Sequence, residues 1–274
     1  MELTKATALT AWTSTGFSVG SDAAINGNTN LQASWNWLAG GAASSNTDGT
    51  ITSSVSANPT AGFSIVKYTG NATAGATVGH GLSQAPELII LRNYTVVHDW
   101  QTYAEPIGNT KYLSLNSTQA EASSSTRWNN TTPSASVITL GNSNPVNQSS
   151  KDIIIYCFHS VEGYSQVGKY LGNNSSDGPF IYTGFQPAFV IIKALDYNYE
   201  WVMFGNQMNP YNAVNKYLYA NSNAAQTVDG SGNFDIISNG FKLRDASYNN
   251  NHPSGAGFLY YAVAEIPFKT SNAR

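Results

Sequence analysis

The chain has 274 residues, enough for one to three domains, with a formal net charge of −3 and only 11% charged residues. It has no Lys/Arg cluster, which argues against a nucleic-acid surface, and no apolar run of the ~20 residues a bilayer-spanning helix needs. Met1–Lys5 lacks the basic and apolar regions of a secretory signal, and Cys157, the only cysteine, can form neither an intrachain disulfide nor a multi-cysteine zinc site.

Polarity comes from Ser, Thr, Asn and Gly rather than from charge. That mix disfavours helices, whose exposed faces want Glu, Lys and Ala, and suits short strands joined by Asn/Gly turns. In chain order, Phe17/Val19 alternate with polar residues and predict a strand with one buried face. Residues 39–60 are rich in Gly, Ala, Ser and Thr and read as an extended linker with one strand at Thr50–Val55. Leu88–Leu91, Ile153–Phe158, Phe189–Ile192 and Phe258–Val263 are continuous apolar runs, as expected of central strands covered on both faces. Cys157 lies inside the second of these and reads as a small buried apolar residue. Tyr112–Leu115 and Phe241/Leu243 alternate. Thr118–Thr126 comes closest to a helix, and a single turn fits it equally well. The join Val161–Gly163 is too short for a loose linker.

The pattern repeats. Gly62-Phe63-Ser64-Ile65-Val66-Lys67-Tyr68 returns as Gly163-Tyr164-Ser165-Gln166-Val167-Gly168-Lys169-Tyr170, Trp100 returns as Trp201, and Lys111-Tyr112-Leu113 with Asn116 returns as Lys216-Tyr217-Leu218 with Asn221. Gly16–Val19 and Ala33–Trp35 resemble Gly240–Leu243 and Tyr260–Ala262, so residues 8–38 read as the second half of a unit whose first half is absent. The expected fold class is all-β: two tandem β-sandwich-like units of about 100 residues, at 61–162 and 163–274. A partial repeat (1–38) and the linker (39–60) precede them. A half sandwich leaves strand edges and an apolar face unpaired. Its missing strands come either from a neighbouring subunit or from a longer chain.

Hydrolytic chemistry would need convergent carboxylates. The candidate pairs are Asp99 with Glu105 and Asp196 with Glu200, but Asp99 and Glu200 precede the recurring Trp100 and Trp201, which favours turn residues. His80, His98, His159 and His252 form no metal-binding motif, and Asn46–Gly49 reads as an Asx turn rather than a calcium loop. No nucleophile elbow, phosphate loop or dinucleotide fingerprint occurs. The chain is therefore expected to be non-enzymatic, without cofactor or metal. Recurring Trp100 and Trp201 read as core or unit-interface residues. Features that do not recur are the better binding candidates: Trp128, Asn129 and Asn130 in one predicted tip loop, and Tyr248, Asn249 and Asn250 in another. Such rings and amides suit a neutral glycan or another subunit.

Several long phrases, in order, resemble a family of structural proteins from tailed bacteriophages, especially marine and cyanobacterial phages. They include SWNWLAGGAASSNTDGTITSSVSANPTAGFSIVKYTG from Ser34, TAGATVGHGLSQAPELIILRN from Thr73, YCFHSVEGYSQVGKY from Tyr156 and AEIPFKTSNAR from Ala264. The resemblance covers roughly residues 33–274. It implies a tail or fibre location on the virion, synthesis in the bacterial cytoplasm, assembly as a homo-oligomer with other virion proteins, and no catalytic residues. A host surface glycan is the further partner to weigh, through an adhesin-like role. A polysaccharide depolymerase is the remaining alternative.

Overall fold

The computed structural model describes residues 5–13, 15–29, 31–228, 233–247 and 249–265. The chain is all-β. It opens with a hairpin, β1 (Leu9–Thr13) and β2 (Gly16–Val19), followed by the one-turn helix α1 (Ala23–Asn26). Strands β3 (Ser44–Asn46) and β4 (Ser53–Asn58) come next. The first unit then supplies β5 (Phe63–Thr69), β6 (Thr77–Gly79), β7 (Leu88–Asn93), β8 (Gln101–Ala104), β9 (Lys111–Ser114) and β10 (Ala122–Ser123). It continues through α2 (Ser125–Trp128), β11 (Val137–Thr139), α3 (Asn144–Asn147) and β12 (Asp152–Phe158). The second unit supplies β13 (Ser165–Leu171), β14 (Phe180–Tyr182), β15 (Pro187–Ala194), β16 (Trp201–Gly205) and β17 (Lys216–Tyr219). It ends with β18 (Thr227–Val228), β19 (Phe234–Ile237), β20 (Gly240–Leu243) and β21 (Gly257–Ala264).

The large sheet of the first unit runs β10-β9-β8-β7-β12-β5-β4-β3. That of the second runs β18-β17-β16-β15-β21-β13. The six shared places are filled in the same order, and each central strand is the last of its unit, inserted between the first strand and the third. Asp152 pairs with Thr69 as Gly257 pairs with Leu171. The small sheets correspond too: β11 pairs with β6 and β20 with β14, setting Ile138 opposite Val78 and Phe241 opposite Ile181.

One sequence expectation needs correction. Residues 39–60 are not a free linker, because β3 and β4 extend the first large sheet at its β5 edge. Pairing at a sheet edge needs backbone groups and one covered face, and Ile51 and Val55 supply the buried side chains. The four continuous apolar runs are indeed central or near-central strands. Thr118–Thr126 contributes the two-residue strand β10 and only the start of a single helical turn.

Alternation along these strands assigns each face. In β12, Ile153, Ile155 and Cys157 enter the core beneath the small sheet, while Tyr156 and Phe158 point to the opposite face. In β21, Phe258, Tyr260 and Ala262 enter the second unit's core, while Leu259 and Tyr261 point away from it. These two outward faces meet, and Phe158 packs against Tyr261 with ring centroids 5.1 Å apart. The molecule is thus layered as small sheet, large sheet, large sheet, small sheet, with the large sheets facing each other across a third apolar cluster.

Candidate interaction site: an open cleft and an uncovered half unit

Recurring polar residues are structural staples. Asn147 accepts from the Asn71 amide (2.9 Å) and donates to the carbonyls of Thr73 (3.0 Å) and Gly141 (3.1 Å). Asn251 accepts from the Asn173 amide (2.8 Å) and donates to the carbonyls of Ser175 (2.8 Å) and Asp245 (2.6 Å). Both are fully buried. Asn26 donates to the Gly20 carbonyl (2.7 Å), the counterpart of the Gly141 bond, yet it is exposed.

The candidate acids are also committed to structure. Asn116 accepts from the Trp100 amide (2.9 Å) and donates to Asp99 (3.0 Å). Asn221 accepts from the Trp201 amide (2.8 Å) and donates to Glu200. Asp196 accepts from the Gly257 amide at 2.7 Å. His80 is buried, contacts the Ser134 carbonyl through Nε2 (3.1 Å) and takes the Leu82 amide on Nδ1 (3.2 Å); burial holds its pKa below the usual value. Burial pushes the Cys157 thiol up to about 12, so it is an inert packing residue. Among the described residues, no group of three or more His, Cys, Asp or Glu lies close enough to hold a metal ion, and no helix is long and apolar enough to cross a membrane.

Of the tip-loop candidates, Trp128 and Asn250 turn inward. Trp128 is 1% exposed, packs edge-on against Tyr103 and donates from its indole to the Lys111 carbonyl (3.0 Å). It plugs the first unit's core and offers no ring to a glycan. Asn250 is buried, and its carbonyl accepts from the Tyr170 hydroxyl at 2.6 Å. Asn249 is half-buried and accepts from the Glu200 amide (3.1 Å). Asn130 is exposed and Asn129 half-buried. Tyr248 and the turn at 229–232 lie outside the described residues. The two loops therefore present no shared aromatic surface among the described residues.

The surface that stands open is apolar, and the sequence did not point to it. A cleft of about 620 Å³ separates the facing large sheets. Ile65, Ile90 and Trp100 line it from the first unit and Ile191 and Met203 from the second, while Trp12, Trp35 and Trp37 reach it from the partial unit. Trp35 and Trp37 lie in a segment without strand pairing. They pack against Phe189 (5.7 and 6.1 Å), and Trp37 packs against Phe158 (5.9 Å). Trp35, Trp37, Phe158, Phe189 and Tyr261 thus meet in one aromatic cluster. On the hairpin, Phe17 and Val19 are 38% and 36% exposed. Their counterparts Ile138 and Leu140 are 1% and 0% exposed, and Phe241 and Leu243 are both 0% exposed, each pair covered by its own large sheet.

Polar bonds join the two units. The Trp201 indole donates to the Ser114 carbonyl (3.0 Å), Glu121 donates its amide to the Leu195 carbonyl (2.8 Å), and Lys169 reaches the Pro106 carbonyl (2.9 Å). Lys193 is fully buried, its ammonium donating to the carbonyls of Thr118 (2.9 Å), Tyr199 (2.6 Å) and Tyr197 (3.5 Å). Desolvation pushes its pKa down to about 8, with Glu200 acting in the opposite direction. The unfolded chain, at the ordinary 10.5, keeps a proton that the folded chain gives up between pH 8 and 10.5. The wild-type chain is therefore expected to gain stability relative to Lys193→Met as pH rises through that window. The ceiling is about 3.5 kcal/mol, at about 1.4 kcal/mol per pKa unit. Urea midpoints of both proteins at pH 7, 8.5 and 10 measure it, and parallel pH profiles would show that the lysine keeps its ordinary affinity for the proton.

No curated protein and no solved structure matches the chain. One family model does, over residues 1–267, and on that match the chain belongs to the family described as Domain of unknown function (DUF7483).

Proposed function

We propose that this chain is a non-enzymatic structural protein of a phage virion, in the tail or a tail fibre, that works by being built into a larger β assembly. The observation that carries this reading is the uncovered apolar face of the hairpin beside the open cleft. Contiguous apolar surface of that kind marks a contact site rather than a solvated one. The commitment of Asp99, Asp196 and Glu200 to backbone and amide hydrogen bonds favours a scaffold over a hydrolase. The phage-like phrases supply the virion part of the reading.

The test is location. Antibody raised against the purified chain, followed by gold labelling of density-purified particles, is expected to decorate the tail or its fibres, with peptides of the chain detected in the same particles by mass spectrometry. Particles that carry neither label nor peptides would rule the virion role out.

A further inference from the structure

The apolar cleft continues into a smaller recess whose walls carry charge. On the outward face of the first large sheet, Tyr156 lies between Ile65 and Ile90, with Thr102 next to Ile90. This rung lines the cleft. One rung along the same face, Ile154 lies between Lys67 and Arg92. Those three residues and Tyr94 line a recess of about 270 Å³. Trp100 and Tyr156 line both spaces, their rings stacked 6.5 Å apart with 12° between the planes. Arg92 sits over the Trp100 ring at 5.5 Å and donates to the His98 carbonyl, and Lys67 pairs with Asp152 at 3.3 Å. The second unit has the same charged rung, with Leu259 between Lys169 and Lys193. There each ammonium holds a carbonyl oxygen, Lys169 that of Pro106 and Lys193 that of Thr118, both at 2.9 Å. The two positions beside the central strand are thus suited to oxygen acceptors, and in the first unit the Lys67 side chain keeps 53% of its surface exposed.

We infer that the cleft and the recess together bind a long-chain carboxylate, with its chain among Ile65, Ile90, Ile191 and Met203 and its carboxylate beside Arg92 and Lys67. The cleft's volume of about 620 Å³ falls within the ~300–1,000 Å³ of small-molecule pockets. Among the described residues that line it, only Asn36 and Thr102 carry polar groups other than indole and phenol. A glycan's hydroxyls would lose water there without gaining partners, whereas a methylene chain has none to lose. Thr102 is fully buried on this wall, and its hydroxyl meets no hydrogen-bond partner among the described residues, so a ligand oxygen at that end of the cleft gains a donor. Charge selects the head group. Lys67 and Arg92 against Asp152 leave one positive charge, which a carboxylate balances, and the guanidinium fork matches a carboxylate's two oxygens. The inference goes beyond the virion reading and is independent of it, because it is tested on purified protein rather than on particles.

The probe is cis-parinaric acid, a fluorescent long-chain carboxylate, titrated as monomer into the full chain with excitation of tryptophan. Saturable one-to-one energy transfer to the probe is expected, because Trp35, Trp100 and Trp201 line the cleft. Dodecanoate is expected to displace the probe at a concentration about tenfold lower than dodecanol, which has the same chain and no charge. Arg92→Gln is expected to erase that preference while the urea midpoint stays near that of the natural chain, since Arg92 is only half-buried. Ile191→Trp, which fills the cleft, is expected to abolish displaceable transfer. Three results would each overturn the proposal: no saturable transfer, equal displacement by dodecanoate and dodecanol, or a preference for dodecanoate that survives when Arg92→Gln is combined with Lys67→Gln. Transfer that Ile191→Trp leaves unchanged would put the ligand elsewhere and overturn it as well. If Ile191→Trp fails to fold, the comparison of the two competitors on the Arg92→Gln protein decides.

Discussion

Asn147→Ala is expected to lower the free energy of unfolding by about 4 kcal/mol. The substitution strands three buried backbone groups at once: the Asn71 amide and the carbonyls of Thr73 and Gly141. A buried polar group left without its partner costs about 1–3 kcal/mol, and the collapsed site admits water to some of the three, which sets the total near the low end of the summed range. Asn251→Ala removes the equivalent bonds to Asn173, Ser175 and Asp245 and is expected to cost about the same. Asn26→Ala breaks one exposed bond to Gly20 and is expected to cost under about 0.5 kcal/mol. Urea unfolding followed by tryptophan fluorescence and by far-ultraviolet circular dichroism would give all three values. Equal losses at Asn26 and Asn147 would mean that the partial unit is as complete as the others, contrary to the geometry.

Phe241→Ala is expected to cost about 4 kcal/mol, within the usual range for removing a fully buried phenyl ring. Phe241 is inaccessible to solvent and packs against Phe234 (4.9 Å) and Tyr260 (5.5 Å). Little around it can close the hole, because those neighbours are anchored in β19 and β21 on opposite sides of the sandwich. Phe17 holds the corresponding sequence position in the partial unit but is 38% exposed, with Trp12 as its ring partner at 5.8 Å. Phe17→Ala is expected to cost less than about 1 kcal/mol, since little area is returned to water. The pair measures what a covering sheet contributes at a fixed residue type. A loss at Phe17 close to that at Phe241 would show that the hairpin face is covered in solution by the chain itself.

Much of this architecture is legible in the amino-acid sequence. The four continuous apolar runs are the strands with both faces covered, because a strand between two layers has no face to give to water. The recurrence of Trp100 and Trp201 after an acid indicates a turn, and the bonds to Asn116 and Asn221 are what that turn needs. The staple asparagines also leave a trace in the spacing: Gly20…Asn26, Gly141…Asn147 and Asp245…Asn251 are each six residues apart in the three copies. Reading non-recurring residues as contact residues fails at Trp128. A residue that one unit has and the other lacks can equally fill a hole peculiar to that unit, and only three-dimensional packing separates these cases. The linker reading of 39–60 fails because few apolar side chains are needed where a strand adds to an edge.

By itself the sequence determined the fold class and the places of the main strands. These are local or periodic properties: alternation, turn chemistry and self-similarity are written along the chain. The tertiary structure decided which faces meet. Period-two alternation says that a strand has two faces, but not which of them lies under a small sheet and which against another unit. That choice buried Lys193 among three carbonyls, turned Trp128 inward, gathered Trp37, Phe158 and Tyr261 into one cluster and left the cleft beside them open. It depends on contacts between residues far apart in the chain, which no local pattern encodes.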